Sequence, residues 1–183
     1  MSFKEYKAVK RFYGKKVAER SGVPLINHID EGLIILEALK ASAITQRAWC
    51  LHPMLQSDAA LKGNLRELTT MTDSLRVVAV AMEYRNKANA WLSDKVFSSP
   101  LGIMFNGAPD PGPLLHVKKM LIADKVQNYK DFLTYHDGKH ERSAELNAYF
   151  ERWLTVLGLS GGKKGVQFRG HAHLIDQVKE LKQ

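Results

Sequence analysis

The sequence predicts an all-α fold, with residues 1–183 forming a single domain. Three observations carry this. Apolar residues recur at the 3.6-residue spacing of amphipathic helices along most of the chain. Few segments alternate as a half-buried strand would. Glycine and proline collect between the periodic segments, most densely over residues 94–113.

Phe3, Tyr6, Val9, Tyr13 and Val17 form the stripe of a first helix, expected to end near Arg20, with Gly22 and Pro24 as its breakers. Asn27 is a plausible N-cap for a second helix carrying Leu33, Leu36 and Leu39. A third runs from about Thr45 through Trp49 and Leu51 to Pro53. That proline is expected to disfavour helical geometry in His52 and to remove a backbone donor. Residues 54–72 are mixed and read as a short helix plus turns. Thr72-Asp73 can cap a long helix to about Ser93, through Leu75, Val78, Ala81, Tyr84, Ala88 and Trp91.

Four prolines and three glycines (Pro100, Gly102, Gly107, Pro109, Pro111, Gly112, Pro113) make residues 94–113 a long loop. Loops of that length in compact domains often serve as lids or binding loops. Helices follow at about 114–134, 141–157 and 171–182, with a basic turn at Gly161-Gly162-Lys163-Lys164-Gly165.

The chain has 183 residues, 45% hydrophobic and 25% charged, enough to bury one core without cross-links. No apolar run nears the ~20 residues that span a bilayer, and the N-terminus lacks a signal-peptide core. The single cysteine, Cys50, excludes an internal disulfide, reads as a core thiol and suits a reducing cytoplasm. A net charge of +8 implies affinity for anions. The basic residues are dispersed, with no zinc-finger or RNA-binding signature, which argues against nucleic acid and for a small phosphorylated ligand.

His28 follows a Gly/Pro turn at the start of a helix, and His52 closes another. Asp124 lies mid-helix among Met120, Leu121, Ile122 and Val126, with Asn128 at i+4 on the same face. A carboxylate in an apolar stripe must be paired or bound to a cation. Its alternatives are therefore a shared metal site with the two histidines or a buried salt bridge to a lysine or arginine.

These segments resemble the HD hydrolase domain of RelA/SpoT proteins. Arg20-Ser21-Gly22-Val23-Pro24-Leu25-Ile26-Asn27-His28 is similar to its first motif, and Ala48-Trp49-Cys50-Leu51-His52 to the approach to its His-Asp dyad. Ile122-Ala123-Asp124-Lys125-Val126-Gln127-Asn128-Tyr129-Lys130 resembles its final helix. Asn147-Ala148-Tyr149-Phe150-Glu151-Arg152-Trp153 is similar to the Tyr-Phe-Glu-Trp of the stand-alone metazoan members. The likeness covers about residues 3–182, in order.

The resemblance implies an HD-domain helical bundle that removes the 3′-pyrophosphate of (p)ppGpp with one Mn²⁺. His28, His52 and Asp124 match three metal ligands, while Pro53 stands where the dyad aspartate belongs. The acidic pair that activates water falls on Gln56 and Ser57, leaving Gln56 to orient water and Asp58, one residue late, as substitute ligand or base. The family's base-contacting arginine aligns with Glu19, beside Arg20. Asn128 and Arg20 would contact sugar, base or phosphate, and Lys118, Lys119 or Arg142 the distal phosphates. The expectation is a cytoplasmic, divergent metal-dependent phosphohydrolase of a purine nucleotide. Its alternative is an inactive HD-fold module that binds a nucleotide or a protein partner.

Overall fold

In the computed structural model, the described residues are 3–19, 21–92, 104–105, 108–109, 114–139, 141–159 and 171–180. They form an all-α arrangement: α1 (Lys4–Tyr13), α2 (Ile26–Ala38), α3 (Ala43–Leu51), α4 (Asp58–Asn64), α5 (Leu68–Met71), α6 (Leu75–Leu92), α7 (Leu115–Asp131), α8 (Ser143–Val156) and α9 (His171–Glu180). Single 3₁₀ turns at His52–Met54 and Leu65–Glu67 join α3, α4 and α5. Within the expected 94–113 loop, the described residues form a minimal antiparallel pair, β1 (Met104–Phe105) with β2 (Ala108–Pro109). Trp91 retains its place on α6 while its side chain, like Ser93 and the turn at 161–165, lies outside the described residues. No described helix is long and apolar enough to cross a membrane.

α7 is the central strut. Val117, Met120, Leu121, Ile122, Ala123 and Val126 are all buried along it, and it packs against α2, α3, α6, α8 and α9. Around it Trp49, Trp153, Ile29, Ile35, Leu36, Leu51 and Met54 fill the core with almost no exposure. Cys50 is fully buried among them, and burial pushes its thiol pKa up.

Three boundaries differ from the sequence expectation. α1 stops at Tyr13, because Gly14 turns the chain with φ 56° and donates its N–H back to the Lys10 carbonyl. The chain then doubles back through a Val17–Pro24 bridge, leaving Val17 half exposed instead of on the α1 stripe. α2 begins at Ile26, so Asn27 lies inside it instead of capping it. His52 keeps helical geometry (φ −56°, ψ −39°), because Pro53 falls in the first turn of a new 3₁₀ helix, where no N–H is required.

Caps were more local than expected. Ser42 caps α3, its hydroxyl accepting from the Thr45 N–H at 3.3 Å. Ser74, one residue beyond the expected Thr72-Asp73 cap, accepts from the Val77 N–H at the start of α6. Leu75 consequently sits outside the stripe and is 87% exposed.

Candidate functional site

His28, His52 and Asp124 meet at the inner end of a cavity of about 670 Å³. The folded-back segment after α1 supplies its rim through Ala18, Ser21 and Val23. Helices α6, α7 and α8 supply its walls through Tyr84, Asn128, Tyr149 and Phe150. After α7 the last turn widens to π geometry over Phe132–His136, the Asp137 N–H reaching the Phe132 carbonyl at 2.9 Å. Such turns often mark functional sites, and this one brings Phe132 and His136 to the cavity wall.

The hydrogen positions of both imidazoles follow from their partners. Gln127 donates its amide nitrogen to Glu31 (3.1 Å) and Asp131 (2.7 Å). Carboxylates only accept, so the amide oxygen must face His28 Nδ1, 2.7 Å away, and that nitrogen carries the hydrogen. His52 Nδ1 lies 2.6 Å from the Trp49 carbonyl and must likewise donate. In its neutral form each ring is left with a bare Nε2. The Trp49 ring packs on both, with centroids 4.9 Å from His28 and 4.4 Å from His52, and Tyr84 meets His52 edge-on at 5.0 Å. Burial first, and His28 second, push the His52 pKa down to about 3.

Asp124 is 7% exposed and well supplied with donors. Lys125 Nζ stands 2.8 Å from Oδ2, Asn128 donates to Oδ1 at 3.0 Å, and the Tyr84 hydroxyl also bonds to the carboxylate. Burial is the largest influence on Asp124 and pushes its pKa up, but Lys125 and His28 together hold it below the usual carboxylate value. Lys125 is itself buried, and despite that burial Asp124 raises its pKa. Its ammonium lies 4.8 Å from the Trp153 ring centroid and 3.4 Å from the Tyr149 hydroxyl.

Of the other residues singled out by sequence, Gln56 and Asn128 line the cavity. Gln56 donates to Asn89 Oδ1 at 2.9 Å, and Asn89 donates back to the Gln56 carbonyl at 3.2 Å. Asp58 does not join the site. Its side chain is 96% exposed at the start of α4, paired with Arg85, because Ser57 caps that helix and turns Asp58 outward. Lys118 is exposed, Lys119 donates to the Lys40 carbonyl at 3.0 Å, and Arg142 pairs with Glu145 at 2.6 Å. None of these three lines the cavity. Arg20 lies outside the described residues.

The arrangement does not fit Mn²⁺. Among the described residues no group of three or more His, Cys, Asp or Glu side chains is placed to hold a metal ion. Pro53 contributes no carboxylate, and the charge of Asp124 is already answered by an ammonium. Sequence reasoning missed Gln127, Tyr84 and the depth of Lys125. One signal was available for Gln127, a glutamine four residues before Asp131 on the same helical face.

No family model, curated protein or solved structure matches this chain.

Proposed function

We propose that the chain is an HD-like helical module that binds a purine nucleotide in this cavity without hydrolysing it. One observation carries the reading. Both carboxylates lining the cavity are already engaged by ammonium groups, Asp124 by Lys125 at 2.8 Å and Asp131 by Lys130 at 2.6 Å. Neither is left to hold a metal ion or to take a proton from water. The rest of the cavity suits binding. Tyr13, Phe132, Tyr149 and Phe150 offer flat apolar faces for a base, and the net charge of +8 draws phosphates toward the molecule.

A second reading is the divergent phosphohydrolase acting on the 3′-pyrophosphate of (p)ppGpp. It is favoured by the gap between His28 Nε2 and Asp124 Oδ1, 3.8 Å wide, where a cation would meet two acceptors. Calorimetry with chelator-treated protein separates the two. The binding module takes up a purine nucleotide without metal, and Phe150→Ala weakens that by about 1–3 kcal/mol through lost stacking. The hydrolase binds productively only with Mn²⁺ and releases pyrophosphate.

A further inference from the structure

The polar atoms at the inner end of the cavity share one property. In the neutral rings His28 Nε2 and His52 Nε2 are acceptors, because the Nδ1 hydrogens go to Gln127 and to the Trp49 carbonyl. Among the described residues no hydrogen bond reaches either Nε2. Gln56 adds a third acceptor. Its amide nitrogen is committed to Asn89, and its buried Oε1 has no partner among the described residues. Asp124 Oδ1, which accepts from Asn128, stands 3.8 Å from His28 Nε2, an ion pair when the imidazole is protonated and two facing acceptors when it is neutral.

Gln56 Oε1, buried and without a partner among the described residues, calls for a donor, because a polar atom removed from water costs free energy until it is paired, and the two imidazoles turn to the same cavity. The local charge points the same way. Asp124, Asp131 and, behind Gln127, Glu31 are three carboxylates against the ammonium groups of Lys125 and Lys130. A phosphate brought here would meet lone pairs and negative charge. Lys16 stands at an adjoining pocket that shares Ala18, Ser21, Leu25 and His136 with this cavity.

We propose that the inner end of the cavity recognises a nitrogen group rich in N–H donors, an amino, ring N–H or amidinium group, and that any phosphate of the same ligand stays at the rim. Gln127 is the positioning residue. Held by Glu31 and Asp131, it fixes which nitrogen of His28 faces the ligand. Gln56 determines specificity by rejecting ligands that present an acceptor to Oε1. The acceptor set stands apart from the nucleotide reading, and only the placement of a base inside and phosphate outside rests on it.

The test uses two probes of one shape and opposite heads, benzamidine and benzoate, on full-length ¹⁵N-labelled protein freed of metal by chelator in mildly alkaline buffer. Long-range ¹H–¹⁵N spectra report each imidazole nitrogen directly. Both histidines should show hydrogen on Nδ1. Benzamidine should shift the Nε2 resonances of His28 and His52 saturably, while benzoate and inorganic phosphate leave them in place. Gln56→Met should weaken benzamidine roughly tenfold, the loss expected for one buried hydrogen bond. Gln127→Leu should bring a population of the Nε2–H form to His28, an effect that loss of packing alone does not produce.

Hydrogen on His28 Nε2 in the wild type overturns the proposal, as do unmoved Nε2 resonances at saturating benzamidine. A shift caused by benzoate or phosphate instead overturns it equally. Benzamidine binding in a protein that takes no nucleotide upholds the acceptor set and removes the nucleotide reading. Nucleotide binding that leaves both Nε2 resonances unmoved does the reverse.

Discussion

Asp124 sits in the buried helix α7, and its neighbour in sequence compensates its charge. Removing one partner of a buried ion pair leaves the other charge stranded. Lys125→Met should therefore cost about 3–5 kcal/mol in urea denaturation, and adding Asp124→Asn should recover much of that. His52 gives a second expectation, through pH. Its pKa falls from 6.5 to about 3 on folding, so the unfolded chain binds a proton that the folded chain refuses. Stability then declines as pH drops from about 6.5 toward 3, by up to ~1.4 kcal/mol per pH unit from this group. His52→Asn should flatten that decline between pH 7 and pH 4.5, which melting curves at the two pH values would measure. At this scale the sequence showed that Asp124 required a partner. It did not show which, because adjacent helical residues point about 100° apart and only the long lysine stem lets Lys125 reach back.

Between elements, α2 meets α3 closely at Gly32. A Cβ there would lie 2.2 Å from the Trp49 ring, which is fully buried and donates its indole N–H to the Ile29 carbonyl at 3.1 Å. Alanine usually strengthens a helix interior by about 1 kcal/mol over glycine. Here overpacking should outweigh that, and Gly32→Ala should destabilise by about 1–3 kcal/mol net. Because Trp49 packs on both imidazoles, its fluorescence should change as well.

Another inter-helix device is Glu5, wholly buried on α1, which accepts from Arg47 of α3 at 2.8 Å and from the Thr72 hydroxyl. Arg47→Ala should cost about 3–5 kcal/mol by stranding Glu5, again read by denaturant titration. The long helices were legible from periodicity, and so was part of the α6 face, Ala81, Tyr84 and Ala88, whereas Leu75 is exposed and Val77 and Val80 are buried in its stead. The end of α1 was not legible, because Val17 continued the apolar spacing past Gly14 and only the backbone turn there decided the matter. Nor was the geometry of His52, where the same proline that ends a helix can begin one.

At the scale of the molecule, the cavity draws on segments distant in sequence: the folded-back strand before α2, the turn after α3, and helices α6, α7 and α8. His28, His52 and Asp124 were foreseeable as its members because each stands at a turn or interrupts an apolar face, whereas Asn128 came from its i+4 spacing and the resemblance and Gln56 from the resemblance alone. Asp58 was not foreseeably absent, since its direction depends on the cap supplied by Ser57. Tyr149 and Phe150 were legible as part of the segment that carries the resemblance, but not as an aromatic wall of the cavity. Their face toward the cavity is set by the π turn that precedes α8.

On the proposed account, this cavity binds a nucleotide by shape and hydrogen bonding, and Lys125 takes the place a metal would need. The most direct test is calorimetric titration of chelator-treated protein with guanosine 3′,5′-bisdiphosphate, with the nucleotide recovered and analysed afterwards. The account predicts saturable heat with a micromolar dissociation constant, about −8 kcal/mol, unchanged by added Mn²⁺, and nucleotide returned intact. Heat that emerges only once Mn²⁺ is present, with pyrophosphate released, would contradict it.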